Sequence, residues 1–304
     1  MGVHQRRLYA RLRDRDIDLT VPPSPDSRLS RLRNWALLPV QAPHAAALVC
    51  TTPAPLRLAV PTVTFVYDLR WRRTRRSFVR SYRYLDLRRT VAKAQHLYAI
   101  SERTREDIVG LIPESECKCS VLHLGPGIVE PSDFTDGQNG TVLLIGGRSY
   151  KRNELVAAAI ARARPAWARS FLCVGVSDET YRTLSDAFGA ETCTRLTFVD
   201  NDQMRALFRK AAVYVSASLE EGFGLPMIEA LAAGCQVVAI RQQLTDEVVG
   251  GAAVLVEDGD VDLMAEQFED PSWVDEGVRR AQAARYSWDR VADTVAAELL
   301  RIGC

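Results

Sequence analysis

Between Val213 and Ile240 the chain reads VYVSASLEEGFGLPMIEALAAGCQVVAI, an apolar run, a glycine-rich loop, an alanine-rich helical segment and a second apolar run in succession. Strand, loop, helix and strand in that order form the repeating unit of a parallel sheet covered by helices. Pro226 suits the first helical turn and Gly234 the C-terminal cap. The loop Gly222-Phe223-Gly224-Leu225 therefore ends at a helix N-terminus, where free N–H groups and the positive end of the dipole favour a phosphate.

The same alternation runs through all 304 residues, so the expected fold class is α/β with doubly wound sheets. Strands are expected at 48–51, 63–67, 96–100 and 120–124, then at 142–145, 171–174, 196–199, 213–217, 236–240 and 253–256. The polar stretch VEPSDFTDGQNG, Val129 to Gly140, cannot hold a core element and reads as a linker. Two domains are therefore expected, 1–135 and 136–285, with 286–304 as a helix packing back on the first. Val21 to Arg28, VPPSPDSR, reads as a loop within the first domain.

Charge separates the halves. Residues 1–135 hold 22 basic and 13 acidic side chains and the remainder 17 and 25, a net +9 against −8, so the first half suits an anionic surface or substrate. No apolar run approaches the roughly 18 residues of a spanning helix, and the first twenty residues are too charged for a secretory signal, which gives a cytoplasmic expectation. Seven scattered cysteines without a CxxC pair read as reduced thiols, and no metal site is assigned.

Glu229 lies about one turn into a helix of Met, Ile, Ala and Leu, and a carboxylate there needs donors. Vicinal ribose hydroxyls would supply two; a basic partner from another element is the alternative. Glu221, on the loop, would face the sugar end of such a ligand or be a solvated acid. Gly146-Gly147-Arg148-Ser149-Tyr150-Lys151 follows a buried-looking strand and precedes a helix, placing Arg148 and Lys151 at the carboxyl end of a sheet, where ligands bind. Two cations there fit a diphosphate clamp. Two solvated surface cations are the alternative, and Arg152 leaves open which basic group would reach a phosphate.

EEGFGLPMIEALAAG resembles the two-glutamate, E-x7-E signature of retaining glycosyltransferases, family 4 in particular. VLLIGGRSYKRN, ISERTREDIV, LTDEVVGGAAVLVE and YSWDRVA resemble further segments of that family, so the likeness extends over most of the chain. It implies a GT-B fold of two Rossmann-like domains, a nucleotide diphospho-sugar donor, retention of anomeric configuration and no metal or other cofactor. It also implies catalytic roles for Arg148, Lys151 and Glu221, and donor binding by Gly147, Val199, Gly222, Phe223, Gly224, Leu225 and Glu229. Val199 enters because LTFVDND, Leu196 to Asp202, resembles the strand and turn whose backbone reads the base.

The first half departs from the family. VTFVYDLRW resembles a segment in which a histidine precedes the aspartate near sugar and acceptor; here Tyr67 precedes Asp68, and a phenol donates but does not titrate near neutrality. Asp68 is either an acceptor-side group or a cap on the following segment. The family's opening strand and glycine-rich loop are not seen ahead of Met1-Gly2-Val3-His4; Gly2 is taken as the loop's remnant, and a start placed too late is the expected explanation. RWRRTRRSFVRSYR, Arg70 to Arg83, resembles a membrane-surface patch, with a solvated basic helix face as the alternative and no nucleic-acid motif beside it.

The expected function is transfer of a hexose, mannose-type favoured, to a glycan or lipid-linked acceptor in cell-surface polysaccharide or glycolipid assembly, on the inner face of the plasma membrane. A non-catalytic GT-B partner subunit is the rival class; an epimerase or phosphorylase is a third.

Overall fold

The computed structural model describes residues 3–15, 17, 48–51, 61–73, 77–130, 133–135, 138–147 and 149–302. They form two compact units, Met1–Gly125 with Ser287–Cys304, and Pro126–Tyr286.

In the first unit, α1 (Val3–Arg13) is followed by β1 (Leu48–Thr51), β2 (Thr62–Val66), α2 (Ser77–Lys93), β3 (Ala94–Ala99), α3 (Glu102–Leu111) and β4 (Cys119–Val121). The strands pair in parallel in the order β1-β2-β3-β4. Every residue of β2 is buried, as expected of a strand covered on both faces. Leu87 and Val91 from α2 and Ile108 from α3 pack with Val66, Leu97 and Ala99 of the sheet. The C-terminal helix Trp288–Arg301 belongs to this unit and is tied to α1 and the residues after it by Arg15, whose Nε donates to Asp293 Oδ1 at 2.6 Å.

The second unit runs β5 (Gln138–Ile145), α4 (Asn153–Ala163), β6 (Ser170–Val174), α5 (Asp178–Phe188), β7 (Cys193–Leu196), α6 (Asn201–Lys210) and β8 (Ala211–Ser216). It continues through α7 (Leu225–Ala233), β9 (Gln236–Ile240), α8 (Gln243–Val249), β10 (Val254–Val256), α9 (Val261–Glu269) and α10 (Glu276–Ala284). All six strands are parallel, in the order β10-β9-β8-β5-β6-β7. From β5 the chain adds β6 and β7 on one side, then returns to place β8, β9 and β10 on the other. The strand order therefore reverses between β5 and β8, and in open parallel sheets the crevice beyond such a reversal is where ligands bind.

Two expectations need correction. The strand expected at 196–199 is Cys193–Leu196, paired with Phe171–Val174. It is an edge strand, so Thr194 and Arg195 are exposed and its polarity concealed it, while Phe198 in the following loop is 85% exposed despite its apolar character. Asp200 then starts α6 with a capping box, accepting from Gln203 N and receiving its side chain in return. The expected boundary at 135/136 lies ten residues inside the second unit. The polar stretch is held by that unit: Arg205 clasps Asp133 through Nε and Nη2 at 2.6 and 2.8 Å, and Thr135 N donates to Ala233 O. Hydrogen bonds at long sequence separation supplement the few apolar residues of the stretch, of which Val129 is buried.

Candidate functional site

Two loops flank the reversal, 146–152 after β5 and 217–224 after β8, and both are shaped by glycine. Gly146 passes so close to the carbonyl of Gly175 that a Cβ would strike it, and Gly147 has φ +97° with open space where a side chain would stand. Gly224 caps α7 from the left-handed region at φ 76°, with Met227 filling the place of a Cβ. Leu225 and Pro226 open α7, and Gly234, at φ 97°, closes it as the sequence suggested. Phe223 is buried, edge-on to Tyr286 at 5.7 Å between centroids, which fixes the loop ahead of the helix. Gly222 is half-buried beside it.

The loops are joined across the reversal. Leu219 N donates to Tyr150 O, and Lys151 Nζ donates to Glu221 Oε1 at 2.5 Å with side chains only 11% and 14% exposed. Burial pulls the Lys151 pKa down, but the neighbouring Tyr214, the Glu221 charge and the hydrogen bond prevail, and the net shift is upward. Lys151 is thus a charged ammonium at neutral pH, held beside Glu221 at the strand reversal. Two residues that the sequence treated separately, one for diphosphate and one for sugar, form a single ion pair here. Arg152 points elsewhere: its Nη1 bonds Asp258 at 2.6 Å. Arg148 and Gly2 lie outside the described residues.

Glu229 is 5% exposed, and the donors it needs come from its own unit. Oε1 accepts from Gly127 N at 2.6 Å and Ile128 N at 2.9 Å, and Oε2 from Val129 N at 2.7 Å. A buried carboxylate among apolar neighbours needs neither ribose nor cation when three successive amides converge on it. Val199 sits half-buried in the loop between β7 and α6.

In the first unit, Tyr67 and Asp68 follow the carboxyl end of β2. Burial, with the nearby Tyr9 adding to it, pushes the Tyr67 phenol up to about 12, so it stays a neutral donor. Asp68 accepts from Arg70 N at 3.1 Å and Arg70 Nη2 at 2.9 Å, the capping alternative. His4 stands in no motif of the sequence, yet its ring lies 6.3 Å from that of Tyr67 and stacks on Trp288 at 5.7 Å, and its Nδ1 is buried with no hydrogen-bond partner among the described residues. An imidazole thus stands beside the residue that occupies the family's histidine position. Only a contact 63 residues apart in sequence reveals it. Among the described residues no group of three or more His, Cys, Asp or Glu could hold a metal ion.

Residues 139–270 match the family described as "Glycosyl transferases group 1". The O-antigen chain mannosyltransferase RfbU of Salmonella typhimurium is 25% identical over 259 residues, 82% of this chain and 72% of that protein. The O-antigen chain mannosyltransferase B of Escherichia coli is 34% identical over 100 residues, 31% of this chain and only 26% of that protein. Anabaena Alr3699/HepE, crystallised with UDP and glucose, superposes with a TM-score of 0.66 at 17% identity, covering 96% of this chain and 89% of that one. The fold is GT-B.

Proposed function

We propose, from the match of residues 139–270 to the group 1 glycosyltransferases, that the chain moves a hexose from a nucleotide diphospho-sugar to a glycan or lipid-linked hydroxyl in cell-surface polysaccharide or glycolipid assembly. The Lys151–Glu221 pair across the strand reversal carries this reading: it sets a cation and a carboxylate side by side at the place where a parallel sheet takes its ligand. Lys151 and the N-terminus of α7 would meet the charge growing on the departing diphosphate, the family resemblance assigns Arg148 the same task, and Glu221 would take the sugar hydroxyls. No metal is required in this scheme, because fixed cations and backbone dipoles supply the compensating charge. Retention follows if the departing phosphate takes the acceptor proton on the sugar's front face. A mannose-type sugar is favoured by the names of RfbU and mannosyltransferase B. Glu229 would serve the ribose by letting its hydroxyls join or replace the amides of Gly127 to Val129.

Thermal shift against UDP, GDP, dTDP and their sugar conjugates tests the donor site. A ligand at about 100 times its Kd stabilises by about 2.7 kcal/mol. One nucleotide series should stabilise the parent and lose that effect in Glu229→Ala; equal binding by the variant removes the ribose role. Binding without sugar transfer to any acceptor extract would favour the non-catalytic partner.

For the acceptor side we propose an anionic membrane surface under α2. Leu87 and Val91 face the core, while Phe78, Tyr82 and Leu85 recur at helical spacing and are 81%, 54% and 53% exposed. Arg80, Arg83, Arg88, Arg89 and Lys93 outnumber Asp86, the one acid on α2, which suits anionic headgroups. No described helix is long and apolar enough to cross a membrane, so the contact would be peripheral. Binding to vesicles should rise with phosphatidylglycerol content, fall with salt and weaken in Phe78→Ser; insensitivity to lipid charge discards the reading.

A further inference from the structure

Glu221 is held from two directions, and only one of them has a part in the proposed chemistry. Oε1 accepts from Lys151 Nζ at 2.5 Å and also from Ser218 Oγ at 2.9 Å. The two donors differ in kind. Lys151 is a flexible cation that a diphosphate could draw away from the carboxylate. Ser218 has a short side chain, is 4% exposed, and its carbonyl accepts from Gln242 Nε2 at 2.7 Å. Gln242 is itself fixed as the N-cap of α8, its N–H donating to Thr245 Oγ1 at 2.9 Å while that hydroxyl donates to Ile240 O at 2.9 Å. A chain of hydrogen bonds thus runs from the end of β9, through Gln242, into the loop that carries Glu221.

We infer that Ser218 is a positioning residue for Glu221, fixing Oε1 so that Oε2 is presented to the donor sugar when Lys151 turns to the diphosphate. This rests on the donor reading above. Without Lys151 a half-buried carboxylate loses its counter-charge and would rotate toward water or take up a proton. The Ser218 hydroxyl leaves it one committed donor on a rigid support. The serine therefore matters most when a sugar is bound, and little for the nucleotide alone.

Isothermal titration of the parent, Ser218→Ala, Glu221→Ala and the double variant, with UDP against UDP-glucose and GDP against GDP-mannose, tests this. Loss of a hydrogen bond to a charged group predicts a roughly ten-fold weaker Kd for the sugar conjugate in Ser218→Ala, with less than about two-fold change for the free nucleotide. In the Glu221→Ala background the serine change should add nothing, because Ser218 acts through that carboxylate. Ser218→Thr, which keeps the hydroxyl, should restore the conjugate affinity. Ser218→Cys, close in volume and a weak donor, replaces alanine if that variant does not fold. Equal loss for nucleotide and conjugate, no loss for either, or additive losses in the double variant overturn the positioning role while leaving the donor site standing. A parent that binds none of the four ligands overturns the donor reading and the positioning role together.

Discussion

At the carboxyl end of β8 a half-buried carboxylate meets a buried ammonium; at the carboxyl end of β2 a neutral phenol stands beside an acid tied to its own neighbour, Arg70. Both places terminate a parallel strand, and both carry residues that resemble a family motif. The second unit concentrates charge out of water, where it is strong and where removing one partner is costly. The first unit leaves its ion pair half in solvent, with Arg70 and Asp68 side chains 46% and 29% exposed, where screening weakens it. A common position in the fold thus does not imply a common chemistry. Burial decides how much a charge pair can do.

Breaking the buried pair should have the largest effect. Lys151→Ala strands Glu221 and should cost about 3–5 kcal/mol in denaturant unfolding, most of it recovered in the Lys151→Ala/Glu221→Ala double variant. Additive losses would mean that the pair is not a pair in solution. Glu229→Gln comes next: the amide cannot accept from all three N–H groups of Gly127 to Val129, and about 2 kcal/mol should be lost, with faster hydrogen exchange at those amides. Unchanged exchange there would show that the carboxylate does not anchor the segment.

Acid sharpens the contrast between the units, with a smaller effect than either substitution. All four histidines lie in the first 123 residues. Burial, with Arg7 in the same sense, holds His4 below its ordinary 6.5, and burial does so for His96, against Glu298 and with Arg301. A neutral buried imidazole contributes stability above 6.5 that is lost as pH falls through its folded pKa. In the second unit Asp133 is buried against its charge, but its hydrogen bonds from Arg205 prevail and hold it below 3.8. Its contribution is present above 3.8 and is lost only as pH falls further. Hydrogen exchange on acidification should therefore loosen the first unit at pH below 6.5, before the second; simultaneous loosening would refute the assignment. The smallest effect belongs to Asp68→Asn, which should change stability by less than about 1 kcal/mol. A loss as large as that at Lys151 would erase the comparison.

The sequence by itself determined the class of fold, the strands whose apolar character is continuous and the loop–helix unit around Glu221 and Glu229. Val213 to Ile240 carries its own instructions: Pro226 and Gly234 delimit the helix, and the runs beside it can only be buried. Local chemistry was sufficient there because the contacts involved are near in sequence. What it misplaced was decided by distance along the chain. The edge strand Cys193–Leu196 looks polar because one side of it meets water. The polar stretch near 130 looks like a linker because its partners, Arg205 and Ala233, lie 72 and 98 residues away. The same holds for the site: Glu229 was recognised as a carboxylate in need of donors, but only the tertiary structure could supply amides about a hundred residues upstream. Lys151 and Glu221 were each legible as functional, yet their pairing arises from the strand order, which sets β5 beside β8 although three helices and two strands separate them in the chain.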